Sequence, residues 1–296
     1  MNVISNQANE PVTAPESEEV SVSVDTIRAR QRRRILVNSL RVLILVVFIG
    51  GWQLLTSVGT PPLIDPFFWG QPSGIWQQLV TWVTHGTAQG PLWEQIVVTL
   101  EETILGFAIG VVFGVVFGVV LGRNRFLSDL LSPFIKAANS IPRIVLGSIF
   151  VIGLGLGMQS KVALAAVMVF FIVFFNAFQG VREVDRNLLA NARILGASPR
   201  RLSTAVIIPS ALTWITASLH TSFSFALVGA VVGEFLGSTQ GIGLMIQTAQ
   251  GTFNANGIFA AMVILAAIAL IMEALITSLE NRLISWRPNT VTDVHI

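Results

Sequence analysis

From residue 40 onwards, long apolar runs alternate with short polar or basic stretches. A hydrocarbon core ~30 Å thick takes about 20 apolar residues per helix. By that ruler spans are predicted at 40–57, 96–122, 133–156, 162–181, 205–234 and 258–280. The stretch between the first two carries Pro61, Pro62, Pro66 and Pro72, which no span would tolerate. Within it Ile75, Leu79, Trp82 and Val83 fall at helical spacing, near Trp69, Trp76 and Trp93. That pattern predicts a short interfacial helix with aromatic anchors. Residues 1–27 are polar, acidic and rich in Ser, Glu and Pro, which reads as a disordered tail. The basic run Arg28–Arg34 leads directly into the first apolar run, so that run reads as a retained span, not a cleaved leader. The expected plan is a cytoplasmic tail with a basic anchor at 1–39 and a first transmembrane helix at 40–57. An external connection at 58–95, a transmembrane domain at 96–284 and a cytoplasmic C-terminal tail at 285–296 follow. The fold class is an all-α polytopic membrane protein with six transmembrane helices.

Composition agrees. Of 296 residues, 53% are hydrophobic and only 11% charged, against about 25% charged in soluble domains. An ordinary soluble enzyme, a disordered chain and a nucleic-acid binder are excluded. The placement of charge gives an orientation. Arg28, Arg30, Arg32, Arg33, Arg34, Arg41, Arg123, Arg125, Arg182, Arg186, Arg193, Arg200, Arg201, Arg282 and Arg287 share one side of a six-span arrangement. Lys161 falls on the other side, and Lys136 and Arg143 lie on the third span. By the positive-inside rule both termini are expected in the cytoplasm. Cysteine is absent, and His85, His220 and His295 lack metal-ligand spacing.

Two periodic features stand out inside the spans. Gly106, Gly110, Gly114, Gly118 and Gly122 recur every four residues. Such a row leaves a smooth groove and predicts close packing against a neighbouring helix, in this chain or in a second subunit. On the fifth span Ser210, Thr213, Thr216, His220 and Ser224 fall within about 120° on a helical wheel. They suit a pathway lining, with Asn176 and Gln179 of the fourth span joining them. The alternatives are hydroxyls bonding their own backbone and, for His220, an interhelical hydrogen bond. Arg143, after a span-breaking Pro142, and Glu234, near the outer end of the fifth span, are further pathway candidates. Glu273 is expected to reach towards the interface.

No phosphate-binding loop, paired catalytic carboxylates or nucleophile elbow is present, so no catalytic residue and no metal site are expected. Energy for uphill transport would enter from an ion gradient or another subunit. The connection from Arg182 to Thr204 bears on this choice. Asp185 can cap a helix through Leu188, Leu189, Ala192 and Leu195, and Gly196 ends it. Ser198 and Pro199 then start another, cap and first turn. Two short helices joined at a glycine make a knob suited to a socket on a cytoplasmic partner.

Gly196, nine residues, and Val206-Ile207-Ile208-Pro209 resemble the EAA-x3-G-x9-I-x-L-P motif of binding-protein-dependent ABC importer permeases. Residues 190–198 fill its first half, with Ala190 where the motif has glutamate. Ile141-Pro142-Arg143, Ser160-Lys161, Asn176 with Gly180-Val181-Arg182, Val184-Asp185, Gly233-Glu234-Phe235, Gly241-Ile242-Gly243 and Trp286 continue the match. The combination is similar to the nitrate/sulfonate/taurine branch, which includes permeases for thiamine precursors and riboflavin. The resemblance implies a type I importer fold and a bacterial inner-membrane location. It implies a homodimer of permeases in the lipid bilayer, a cytoplasmic ATPase dimer and an external solute-binding protein, and no nucleic acid. ATP and Mg would bind the ATPase, and no cofactor this chain. It makes 185–200 the coupling segment, with Asp185, Leu188, Leu189, Ala190, Ala192, Leu195, Gly196, Ala197, Ser198 and, further on, Pro209 as its residues. Thr99-Leu100-Glu101-Glu102 before Gly106 resembles the vitamin-precursor members more than the sulfonate members. The expected cargo is therefore a heteroaromatic vitamin or precursor, with sulfonate, taurine or nitrate as the alternative. An ion-coupled secondary transporter is the reading of another class.

Overall fold

The computed structural model describes residues 16–59, 62–184, 190–192, 194–202, 204 and 207–283. Among them the secondary structure is helical, with two isolated β-bridges at Gly59–Pro62 and Thr87–Gly90. The chain divides into two units, Met1–Ile64 and Asp65–Ile296. The first unit holds α1 (Glu16–Ser57), of which Gln31–Ser57 is long and apolar enough to cross a membrane. α1 begins well inside the segment expected to be disordered. Neither Gly nor Pro interrupts residues 16–49, so nothing in the backbone stops the helix from running back beyond the apolar stretch.

The second unit contains α2 (Pro66–Trp69), α3 (Pro72–His85), α4 (Leu92–Arg123), α5 (Arg125–Ser140), α6 (Arg143–Leu154), α7 (Met158–Arg182), α8 (Pro199–Leu202), α9 (Ile208–Leu236), α10 (Ile242–Gly251) and α11 (Ala255–Leu283). In α3 the expected face is largely right. Ile75 and Trp82 are buried and Leu79 half-buried, but Val83 is 72% exposed. α3 packs on α11, where the Asn254 amide donates to Gln78 Oε1 at 3.1 Å.

α7 is the centre of the unit, with α4 and α9 against it. The glycine row of α4 faces α7 of the same chain. A Cβ on Gly110 would lie 2.6 Å from Val169 Cβ, on Gly114 2.8 Å from Val173 Cβ, on Gly118 2.7 Å from Ala177 Cβ and on Gly122 2.9 Å from Val181 Cβ. Gly106 meets Ala165 in the same way. The partners at 165, 169, 173, 177 and 181 also step by four, so two i±4 rows interlock along the full seam. In α7, Leu164, Ala165, Val169, Val173 and Ala177 are essentially buried.

Among the described residues five helices are long and apolar enough to span a membrane, and α5 with α6 makes a sixth if counted as one broken span. The third span was expected as one run over 133–156. Instead it begins at Arg125 and bends by 85° between α5 and α6. Pro142 supplies no N–H and forces Ile141 into extended geometry (φ −71°, ψ 128°), which ends α5 at Ser140.

Candidate functional site

Three regions carry the residues singled out from the sequence. The first is the segment after α7. Asp185, Leu188 and Leu189 lie outside the described residues. Ala190, Asn191, Ala192 and Ile194 are helical, and Gly196 has φ +77°, the left-handed geometry that glycine takes without steric cost. The Ala197 N–H donates to Ala192 O at 3.0 Å and closes the helix end. Ser198 then caps α8, its Oγ accepting from the Arg201 N–H at 3.3 Å with Pro199 in the first turn. Ile194 and Leu195 are 82% and 85% exposed, and Ala190 is exposed too. Pro209 stands in the first turn of α9.

The second region is the set of polar residues expected to line a pathway. The structure does not gather them around one cavity. Asn176 Nδ2 donates to Ile172 O at 2.9 Å and Thr216 Oγ1 to Leu212 O at 2.9 Å, each bonding its own helix. Gln179 Nε2 donates to Glu183 Oε1 at 2.5 Å. Thr213 is half-buried and Ser224 exposed. Arg143 bonds Asn139 Oδ1 at 2.5 Å and lies 5.0 Å from the Phe171 ring centre. His220 joins α9 to α11, with Nδ1 2.7 Å from Glu273 Oε1 and Nε2 2.9 Å from Glu280 Oε2. Glu273, expected to reach for the interface, is thus a partner of His220.

The third region was not anticipated. Gln95, Thr99, Glu102, Lys161 and Glu234 are buried together where α4, α7, α9 and α10 meet. Glu234, expected to face the pathway, is 0% exposed. Its Oε2 accepts from the Gly243 N–H at 2.6 Å and its Oε1 from Thr99 Oγ1 at 2.7 Å. Thr99 Oγ1 in turn accepts from the Ile242 N–H at 3.0 Å, and Gln95 Oε1 from the Gly241 N–H at 2.8 Å. Side chains of two helices therefore satisfy three of the free N–H groups that open α10, and a carboxylate sits at the positive end of its dipole. Gly241 (φ +105°) has room for no Cβ, since the Glu234 carboxyl occupies that position. Lys161, expected in an outside connection, is fully buried and donates to Leu156 O and Gly157 O. It is close enough to feel both Glu102 and Glu234. The sequence held a signal for this cluster: Gln95, Thr99, Glu102 and Thr103 share one face of the first turns of α4.

Comparison with known proteins adds identity to this geometry. A family model described as a binding-protein-dependent transport system inner membrane component matches residues 110–285. The chain is 36% identical over 245 residues to the riboflavin transport system permease protein RibX of Chloroflexus aurantiacus, covering 82% of this chain and 87% of the relative. It is 28% identical over 231 residues to the taurine transport system permease protein TauC of Escherichia coli, covering 78% and 84%. Among solved structures, the crystal structure of an amino acid ABC transporter with histidines superposes at a TM-score of 0.50 and 22% identity. That match covers 62% of this chain and 87% of the other.

Proposed function

The chain belongs to the family of binding-protein-dependent transport system inner membrane components, and from that membership we propose how it works. It is a multi-pass ABC importer permease for small nutrients, with the all-helical type I transmembrane fold. In the proposed mechanism it forms a translocation pathway together with a second copy of itself. Both termini face the cytoplasm, a separate ATPase dimer binds ATP and Mg, and an external binding protein delivers the cargo. The observation that carries the coupling assignment is the apolar knob after α7. Ile194 and Leu195 project almost fully exposed beside a tight Gly196 turn, within a segment otherwise rich in arginine. Burying them in a socket on the ATPase would release apolar surface from water. Displacement of the knob would reach the spans directly, because Gly180 of α7 is packed against Ala211 and Trp214 of α9 just beyond it. Ala217, Thr221, Ser224 and Val228 form an exposed stripe on α9 that suits the pathway side.

Co-purification and uptake test this reading. A stable complex with a soluble ATPase, and uptake that stops on ATP depletion but survives an uncoupler, is the expected result. Uptake that persists without any ATPase overturns it. For cargo we favour a heteroaromatic vitamin or precursor, on the strength of the RibX similarity and the residues around Glu102. Radiolabelled riboflavin should be taken up in competition with unlabelled riboflavin but not with taurine, and the reverse pattern selects the sulfonate alternative.

A further inference from the structure

At the end of the seam between α4 and α7, Gly122 meets Val181 and Phe178 so closely that the residues that follow, Arg123 and Arg182, come to the same rim. Asn124 breaks the helix (φ −106°, ψ 101°), and its Oδ1 accepts from the Leu127 N–H at 3.1 Å to restart the chain as α5. That places Arg125 in the first turn. Gly122, Arg123, Arg125, Ser128 and Arg182 line one open cavity of about 210 Å³. Among the described residues no carboxylate pairs with any of the three arginines. Glu183, the nearest acid in sequence to Arg182, is bonded to Gln179 instead. The helix dipoles account for Arg123 and Arg182, which stand at C-terminal ends, but not for Arg125. A cation in the first turn of α5 is disfavoured unless an anion joins it.

The helices that form the cavity also carry apolar surface. Phe113, Phe117 and Val120 of α4 and Phe126, Leu130 and Phe134 of α5 are exposed on the two helices that carry Arg123 and Arg125. A free inorganic anion has no use for such flanks, whereas a lipid does: its acyl chains cover them while its phosphate enters among the guanidinium groups. We propose that this cavity binds the headgroup of an anionic phospholipid, with Arg123, Arg125 and Arg182 holding the phosphodiester and Ser128 beside them. Guanidinium forks suit phosphate oxygens, and the same lipid would brace the end of α7 from which the proposed coupling segment departs.

Native mass spectrometry of the full chain, released from mixed micelles of phosphatidylglycerol and phosphatidylcholine, tests this directly. The expected result is selective retention of phosphatidylglycerol, falling about fivefold for each arginine removed in Arg123→Gln, Arg125→Gln and Arg182→Gln. The variant Arg200→Gln/Arg201→Gln removes two cationic charges outside the cavity and should retain phosphatidylglycerol as the wild type does. Equal retention of the two lipids by the wild-type chain overturns the proposal without recourse to any variant. So does an equal loss in the control, or displacement of the lipid by millimolar inorganic phosphate, which would mark a site for the free anion.

Discussion

Replacing Glu234 by glutamine tests whether this carboxylate is a structural cap or a pathway contact. The carboxyl group accepts from the Gly243 N–H at 2.6 Å and Thr99 Oγ1 at 2.7 Å, lies against the Glu102 carboxyl and has no access to solvent. Bonds to a charged group contribute about 1.5–3 kcal/mol each. An amide keeps one acceptor, so one bond survives as a neutral one, while the other donor meets an NH2 group and is left unpaired. The loss comes to about 3–4 kcal/mol for Glu234→Gln. In a domain of this size that lowers the melting temperature by about 10 °C. Thr99→Val removes the hydroxyl that bridges Glu234 and the Ile242 N–H. Because both single variants break the same bond, the double variant should fall short of their sum by about 1–2 kcal/mol. Denaturant unfolding of the purified chain in detergent measures all three. If Glu234→Gln melts with the wild type while raising the KM for uptake, the cap is not what this residue is for. Strict additivity of the two substitutions would refute the shared bond.

The other expectations follow from single contacts. Gly118→Leu should destabilise by more than about 3 kcal/mol, because a Cβ alone would lie 2.7 Å from Ala177 Cβ and from Phe174 O. Gly153→Leu, with nothing within 4 Å of a Cβ, should be neutral or stabilising in the same melting assay, and equal effects would refute the packing account. Gly196→Val also meets no atom, so its cost is backbone strain of about 1–2 kcal/mol at φ +77°. The variant should insert normally but lose uptake and ATPase association, and normal values of both would displace the coupling turn. His220→Ala should lower stability by about 2 kcal/mol through loss of both carboxylate contacts, and more than Glu273→Gln, whose side chain is 50% exposed. A changed KM with unchanged stability would instead make His220 a substrate contact.

What could be read from the sequence depended on how local its cause is. The glycine row of α4 was legible because a helix can approach another so closely only where a side chain is missing, and that requirement recurs every four residues. The Ser198 cap was legible for a similar reason, since its hydroxyl and the N–H it receives are three residues apart. The place of Glu234 is not legible locally because its partner Thr99 lies far back in the chain, on a helix whose sequence speaks through its glycines and its family resemblance and names no distant contact. Read alone, a glutamate in an apolar span means expense, and expense suggests function. Here the expense is met by the open N–H groups of α10. The span boundaries put Lys161 in a loop, and a hydropathy ruler cannot tell a loop cation from one whose ammonium fastens two carbonyls. The break at Pro142 was visible, but its 85° angle depends on neighbours that no local pattern names.

The same contrast bears on how the unit can move. Along the α4–α7 seam five glycines meet five partners, and sliding the helices apart would forfeit all of these close contacts together. At one end Glu234 and Thr99 fasten α9 and α4 to α10 as well. Work entering at the proposed coupling knob would therefore carry α4, α7 and α9 as one body, with the compliant joints elsewhere. The half-exposed His220–Glu273 contact between α9 and α11 and the bend between α5 and α6 are the two that cost least to remake. The chain has no cysteine of its own, so introduced pairs can test the division. A disulfide across the rim of the α4–α7 seam should leave uptake intact, whereas one between α9 and α11 beside His220 should stop it until reduced. Blocked uptake with the seam bridged would mean that α4 and α7 separate during transport, and the rigid-body argument would fail at its strongest contact.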